Sequence, residues 1–174
     1  MPFLSHHPCT ISSVIVLFTH FYVQVVVNVF CSLAFATVYT SKMPVTKCDL
    51  LHARVLPFYE ALSVRVGTIL TDNGRAFCGT EASHPYELLL AMEGTEHRTS
   101  RVRTPRTNGF GERMNRTLPD ACSRVAGRTT WYVSIEEIQR DLDQFFEYYN
   151  LRRSHQGYRL GGKVSRCGNE EKAV

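Results

Sequence analysis

Two carboxylates and a cluster of arginines carry the chemistry this chain could perform. Asp72 closes the apolar run Val64–Thr71 and precedes Asn73-Gly74, a strong turn signal. Glu112 lies in a stretch where Phe110, Met114 and Leu118 fall at i, i+4 and i+8. That spacing makes an apolar helical stripe from about Asn108 and turns Glu112 and Arg116 onto another face. Two carboxylates so placed can converge on a hard divalent cation, which prefers oxygen ligands. Each also has a plain structural use: Asp72 can shape the turn, and Glu112 can pair with Arg116. Between Thr95 and Thr130 stand eight arginines against Glu96, Glu112 and Asp120, a local balance of +5 within a net charge of +4. Such a cluster attracts phosphates and makes binding salt-dependent, although a solvated arginine face would look the same.

The elements that must position these residues follow from periodicity. Ile11–Ala36 is uncharged, and the first 41 residues contain no Asp, Glu, Lys or Arg. A membrane span has the length it needs there, but His20, Gln24 and Asn28 interrupt it and no basic residue flanks its start. Enrichment in Val and Phe favours two buried strands, Phe21–Val29 and Leu33–Tyr39. Thr46 through Asp49 reads as a helix start, leading Leu50, Leu51, Val55, Phe58, Tyr59 and Leu62 into a core with a kink near Pro57. A strand over Val64–Thr71, a helix framed by Ser83, Pro85 and Gly94, and a short strand near Thr95–Ser100 follow. Ser134 through Glu137 is a capping box opening a last helix whose stripe is Ile135, Ile138, Leu142, Phe145 and Tyr149. Strands first, then alternating helix and strand, give an α/β domain with a mixed sheet. In such sheets a carboxylate at a strand's carboxyl end faces the ligand crevice, which is where Asp72 falls.

Three ordered segments sharpen this. They are Leu70-Thr71-Asp72-Asn73-Gly74, then Pro105 through Thr117, then Tyr149 through Tyr158. The series resembles the integrase core of bacterial insertion-sequence transposases, relatives of retroviral integrases with an RNase H-like fold. The resemblance spans 21–160, leaving 1–20 as a non-matching amino-terminal segment and 161–174 as a loose tail. It implies an RNase H-like mixed sheet flanked by helices, acting on DNA by phosphodiester strand transfer with two magnesium or manganese ions. In that family an Asp-Asp-Glu triad holds the ions; Asp72 matches its second member and Glu112 its third. Arg103, Arg106, Asn108, Arg113 and Arg116, with Arg153 and His155 after the last helix, are then the groups that hold the DNA backbone. A homo-oligomer or a transposase partner chain is implied as well.

The pattern also breaks. The family's first catalytic Asp lies on a strand before Tyr22–Val29, and this chain has no Asp or Glu before Asp49. The resemblance therefore implies a sheet without a proper first strand and impaired catalysis, as in a truncated or frameshifted chain. Asn28 stands where relatives carry Asp, and Gly111 and Pro119 are poor helix residues. His6, His7 and Cys9 are poor replacements as magnesium ligands. The six cysteines show no C-x-x-C spacing and read as free thiols of a reducing compartment, hence the cytoplasm. Two other functions stay open: a non-catalytic nucleic-acid-binding module and a small membrane-anchored protein.

Overall fold

The computed structural model describes residues 9–18, 21–74, 77–79, 84–100, 114, 117, 134–154 and 164–165. Strands β1 (Cys9–Phe18), β2 (Phe21–Asn28), β3 (Ala34–Tyr39), β4 (Val66–Thr71) and β5 (Glu96–Thr99) form one sheet in the order β3-β2-β1-β4-β5. β1 runs antiparallel to β2 and parallel to β4, and β5 extends the parallel half. The sheet is mixed, with helices α1 (Pro44–Leu50), α2 (Leu56–Ala61), α3 (Pro85–Met92) and α4 (Ile135–Leu151) packed on it.

One expectation is corrected here. A first strand is present, and it occupies the centre of the sheet. β1 pairs from Ile11↔Asn28 to Phe18↔Phe21 and also from Cys9↔Val66 to Ser12↔Leu70. A central strand with neighbours on both edges and layers on both faces has no room for unpaired charge, which explains why the segment carries none. Ile11, Ser12 and Ser13 are all buried. The uncharged amino-terminal run is thus sheet, and among the described residues no helix is long and apolar enough to cross a membrane.

The two faces of β2 show how the core divides. Val23, Val25 and Val27 point to one side, against β3, Met114, Leu142, Phe146 and Tyr149. Val26 points to the other, where Ile11, Leu50, Leu51, Val55, Tyr59, Ile69, Phe77, Tyr86 and Leu90 form the second cluster. The alternation is the period of two that a doubly covered strand requires. Phe146, absent from the anticipated stripe of α4, is buried there, whereas Ile135, Ile138 and Phe145 are only partly covered.

α1 starts three residues earlier than its polar residues suggest, Thr46 being the expected N-cap. Met43 is the N-cap and Pro44 the first helical residue, where a missing N–H costs nothing. Thr46 Oγ1 instead donates to the Met43 carbonyl at 2.7 Å. The kink anticipated near Pro57 appears as a π-helical turn, Leu51–Val55, immediately before α2. Proline lacks the N–H that would continue the ladder and its ring crowds the preceding turn, and a widened turn relieves both. Ser134 caps α4 as the sequence indicates, its side chain accepting from the Glu137 N–H at 3.4 Å.

β3 is an edge strand whose open backbone is sealed from α4. Asn150 Oδ1 accepts from Ala34 N–H at 2.9 Å, and its Nδ2 donates to the Ala34 carbonyl at 2.8 Å. Gln139 Oε1 accepts from Val38 N–H at 2.9 Å. Arg54 reaches across to Asp143 at 2.7 Å and to the Ala36 carbonyl at 3.3 Å. These side chains satisfy strand groups that would otherwise be free to pair with another chain. The cysteines are not uniformly free thiols, another correction: Cys31 is disulfide-bonded, while Cys9, Cys48 and Cys78 are free.

Candidate nucleic-acid-processing site

The site begins with the end of β4. Thr71 is fully buried, and Asp72 follows it out of the sheet into solvent. Asp72 Oδ1 accepts from the Gly74 N–H at 2.8 Å, an Asx turn that fixes the carboxylate's rotamer. A Cβ on residue 74 would sit 2.7 Å from that same oxygen, so only glycine closes this turn without displacing the carboxylate. The chain then folds back, with Phe77 and Cys78 N–H groups donating to the Gly74 carbonyl. Phe77 is fully buried, edge-on to Tyr86 at 5.4 Å.

β5 braces the turn from its other side. Asn73 Nδ2 donates to the Ser100 carbonyl at 2.9 Å, and Ser100 N–H donates to the Thr71 carbonyl at 2.8 Å. His97 links α3 to the end of β4: its Nδ1 lies 2.8 Å from Glu87 Oε1 and its Nε2 2.8 Å from Thr71 Oγ1. An ionised carboxylate only accepts, so Nδ1 carries a proton toward Glu87. This bridge is not legible in the sequence, because a four-residue strand has too short a period to show which way His97 faces.

Beside Asp72, β1 offers no second carboxylate. The parallel register runs to Ser12↔Leu70, and the whole strand Cys9–Phe18 contains no Asp or Glu. Lys47, buried in α1, places a positive charge within electrostatic reach of Asp72, and burial lowers its pKa to about 8 from an ordinary 10.5. Asp72 counteracts part of that fall and Lys42 adds to it. The sequence signal for a buried Lys47 is its place on the helical stripe of Leu50 and Leu51.

Asn28, where an acidic residue was anticipated, is fully used as an amide. Its Oδ1 accepts from the Phe30 and Cys31 N–H groups at 2.7 and 3.0 Å, holding the β2–β3 turn. Its Nδ2 lies 2.8 Å from both Cys9 Sγ and the Tyr59 hydroxyl. A carboxylate could keep the first pair of contacts but could not donate the second. Burial pushes the Cys9 thiol up, partly offset by its bonds to Tyr59 and Asn28.

Glu112, Arg103, Arg106, Asn108, Arg113, Arg116 and His155 lie outside the described residues. The flanks of the arginine-bearing segment are fixed: Ser100 ends it at the Asp72 turn, and Met114 returns buried to the core beneath β2 and β3. Arg153 is described, and its guanidinium lies 5.5 Å above the Tyr149 ring. Its backbone N–H caps the end of α4 through the Tyr148 carbonyl. Among the described residues no group of three His, Cys, Asp or Glu could hold a metal ion. The described residues around Asp72 therefore do not by themselves supply the oxygen ligands that a pair of divalent cations takes.

Known proteins place this architecture. Residues 93–161 match the family model of the integrase core domain. No curated protein sequence matches the chain. Among solved structures, a chain of the simian T-cell lymphotropic virus intasome in complex with PP2A regulatory subunit B56 gamma superposes with a TM-score of 0.71 at 18% identity. That match covers 94% of this chain and 54% of the other, so this chain spans about half the length of its relative. The catalytic core domain of BIV integrase superposes with a TM-score of 0.63 at 19% identity, covering 92% and 91% of the two chains. The fold is therefore that of these integrase cores, and the integrase core model matches the part of the chain from 93 to 161. Integrase cores generally use divalent metal ions, and no such site is seen among the described residues.

Proposed function

We propose that this protein is a DNA integration or transposition core that keeps the frame for holding DNA and has impaired strand-transfer chemistry. The observation that carries the reading is Asp72 at the carboxyl end of β4, next to a central strand, Cys9–Phe18, that contains no Asp or Glu. In strand transfer by two metal ions, one ion activates the attacking oxygen and the other stabilises the leaving 3′-oxygen. β1 has no carboxylate to contribute to such a set. Asp72 and Glu112 are the two acidic members of the site, for magnesium or manganese. Arg103, Arg106, Asn108, Arg113 and Arg116 hold the phosphate backbone, with Arg153 and His155 at its margin. Phosphate contacts of this kind position DNA without reading its sequence. A homo-oligomer on paired DNA ends is the assembly proposed, by analogy with the matched intasome chain, and the cytoplasm is the proposed compartment.

A second reading, a DNA-binding module with no chemistry of its own, is favoured by the absence of Asp and Glu from the central strand β1. Incubation with supercoiled plasmid in manganese or magnesium separates the two, with Asp72→Asn and Glu112→Gln as controls. Weak nicking that vanishes in both variants supports the impaired enzyme. Absence of nicking with salt-sensitive plasmid binding supports the binding module. Absence of any plasmid binding at low salt refutes both.

A further inference from the structure

The carboxyl end of the sheet carries a second exposed feature besides the Asp72 turn. β1 runs antiparallel to β2, and β2 antiparallel to β3, so β3 is parallel to β1 and β4. Their carboxyl ends share one end of the sheet, the side on which open α/β sheets bind ligands. Leu70 of β4 stands level with Ser12 of β1, whereas Tyr39 of β3 pairs with Tyr22, itself level with Leu17. From Ser12 to Leu17 is five residues, so β3 reaches roughly 16 Å further than Leu70 at the usual strand rise. Residues 40–45 follow it and form a shoulder past the end of β4. α1 descends from that shoulder, and Lys47 Nζ lies 5.5 Å from the ring of Phe77, in the segment after the Asp72 turn.

The shoulder is firmly held. The Met43 carbonyl accepts from the Thr46 N–H at 3.1 Å and from Thr46 Oγ1 at 2.7 Å. The Tyr39 hydroxyl donates to Asp49 Oδ2 at 2.6 Å, tying the strand before the loop to α1. Lys47 Nζ donates to Gln24 Oε1 at 2.9 Å in the amide orientation that satisfies both ends of Gln24. The tip of this fixed structure is nevertheless apolar. Met43 is 60% exposed and Val45 57%, with Lys42 exposed beside them. Helix capping does not account for the methionine, because Met43 is an N-cap without a side-chain hydrogen bond where Ser, Thr, Asp or Asn would supply one.

We propose that Met43 and Val45 form an apolar contact for unpaired bases at a DNA end, with Lys42 on the adjoining phosphate. The inference rests on the DNA-processing reading above, which puts DNA across this end of the sheet. Lysine selects a phosphate-bearing ligand, and methionine is among the side chains that wedge against bases leaving the stack. The spacing suits such a strand. At about 3.4 Å per nucleotide, DNA held at the Asp72 turn reaches the shoulder about five nucleotides away. Bases inside an intact duplex stay stacked and offer Met43 no comparable apolar face.

The test is fluorescence anisotropy of the full chain with two labelled duplexes of equal length and charge, one fully paired and one with mismatched terminal pairs. Wild type should prefer the mismatched end. Met43→Ser should weaken binding to that duplex about tenfold, the scale of burying one methionine side chain, and leave the paired duplex unchanged. Lys42→Gln should weaken both and lower the salt slope by about one. Both side chains are exposed, so both variants should keep the wild-type melting temperature. Equal wild-type affinity for the two duplexes overturns the proposal, as does a Met43→Ser loss that is absent or equal on both. A change in the oligomeric state of DNA-free Met43→Ser, read by sedimentation, would assign the shoulder to a second copy of the chain and also overturn it. Failure of wild type to bind either duplex at low salt refutes the DNA-processing reading and this inference with it. Binding of both duplexes without any effect of Met43→Ser overturns this inference alone.

Discussion

The two faces of the sheet are held by different physics. On one, α4 packs an apolar stripe over β2 and β3 and sews the β3 edge with Gln139 and Asn150, joined by Arg54 from the π-helical turn. On the other, a buried Lys47 of α1 lies against Phe77, His97 of β5 bridges Glu87 of α3 to Thr71, and an exposed Asp72 ends β4. The first face spends its polar side chains on the fold. The second gathers polar and charged groups around the end of β4, and that contrast is why the candidate site is proposed there.

The comparison can be broken most forcefully on the α4 face. Leu142 is 2% exposed in the centre of that cluster, and Leu142→Ala should destabilise the protein by about 2–5 kcal/mol through lost burial and the cavity left behind. Denaturant unfolding measures it, and a loss under 1 kcal/mol would mean α4 is not anchored as described. Asn150→Ala should cost less, about 1–3 kcal/mol, because the Ala34 N–H and carbonyl both lose their partner at a strand edge. If the edge is what Asn150 protects, the variant should also self-associate at high concentration, visible by light scattering.

On the Asp72 face the telling variable is pH. The pKa of Lys47 in the folded state is about 8, below its ordinary 10.5, so between those values the unfolded chain binds more protons. Stability contributed through Lys47 must therefore rise with pH across that window, since the cost of burying the charge is relieved as the proton leaves. After allowance for solvent screening the gain should be roughly 2 kcal/mol, read as the change in the stability difference between wild type and Lys47→Met from pH 7.5 to 10.5. Thiols of Cys9, Cys48 and Cys78, all raised by burial, push the other way in both proteins and cancel in that difference. A flat difference would show that the charge of Lys47 is solvated. The smallest effect belongs to Arg153→Ala. It should leave melting almost unchanged and reduce the salt dependence of plasmid binding by less than one contact's worth, because the guanidinium is half engaged on Tyr149.

The α4 face was the legible one. A capping Ser134, a periodic stripe and a strand pair rich in Val and Phe all obey local rules, and the structure follows them, with Phe146 the one core residue passed over. Pro57 likewise announced a distortion, although its form, a π-helical turn, depends on how α1 and α2 dock together. β1 was hidden because its Thr and Ser residues and its flanking His and Cys blur any period, and because its burial comes from parallel pairing with β4, some sixty residues away. The site suffered most. Asp72 declared itself through Asn73-Gly74, but the central strand beside β4 could be placed only by sheet pairing, and Lys47 only by packing against Gln24 and Phe77. Contacts of that range leave little trace in a single sequence.

An incomplete metal-binding set at Asp72, in an integrase-like fold, is the reading proposed for this site. Anomalous scattering from crystals grown in millimolar Mn2+ tests it most directly. The expected result is no pair of ions at Asp72. Two Mn2+ ions about 3.5–4 Å apart, bridged by Asp72 and completed by other oxygen ligands, would contradict it.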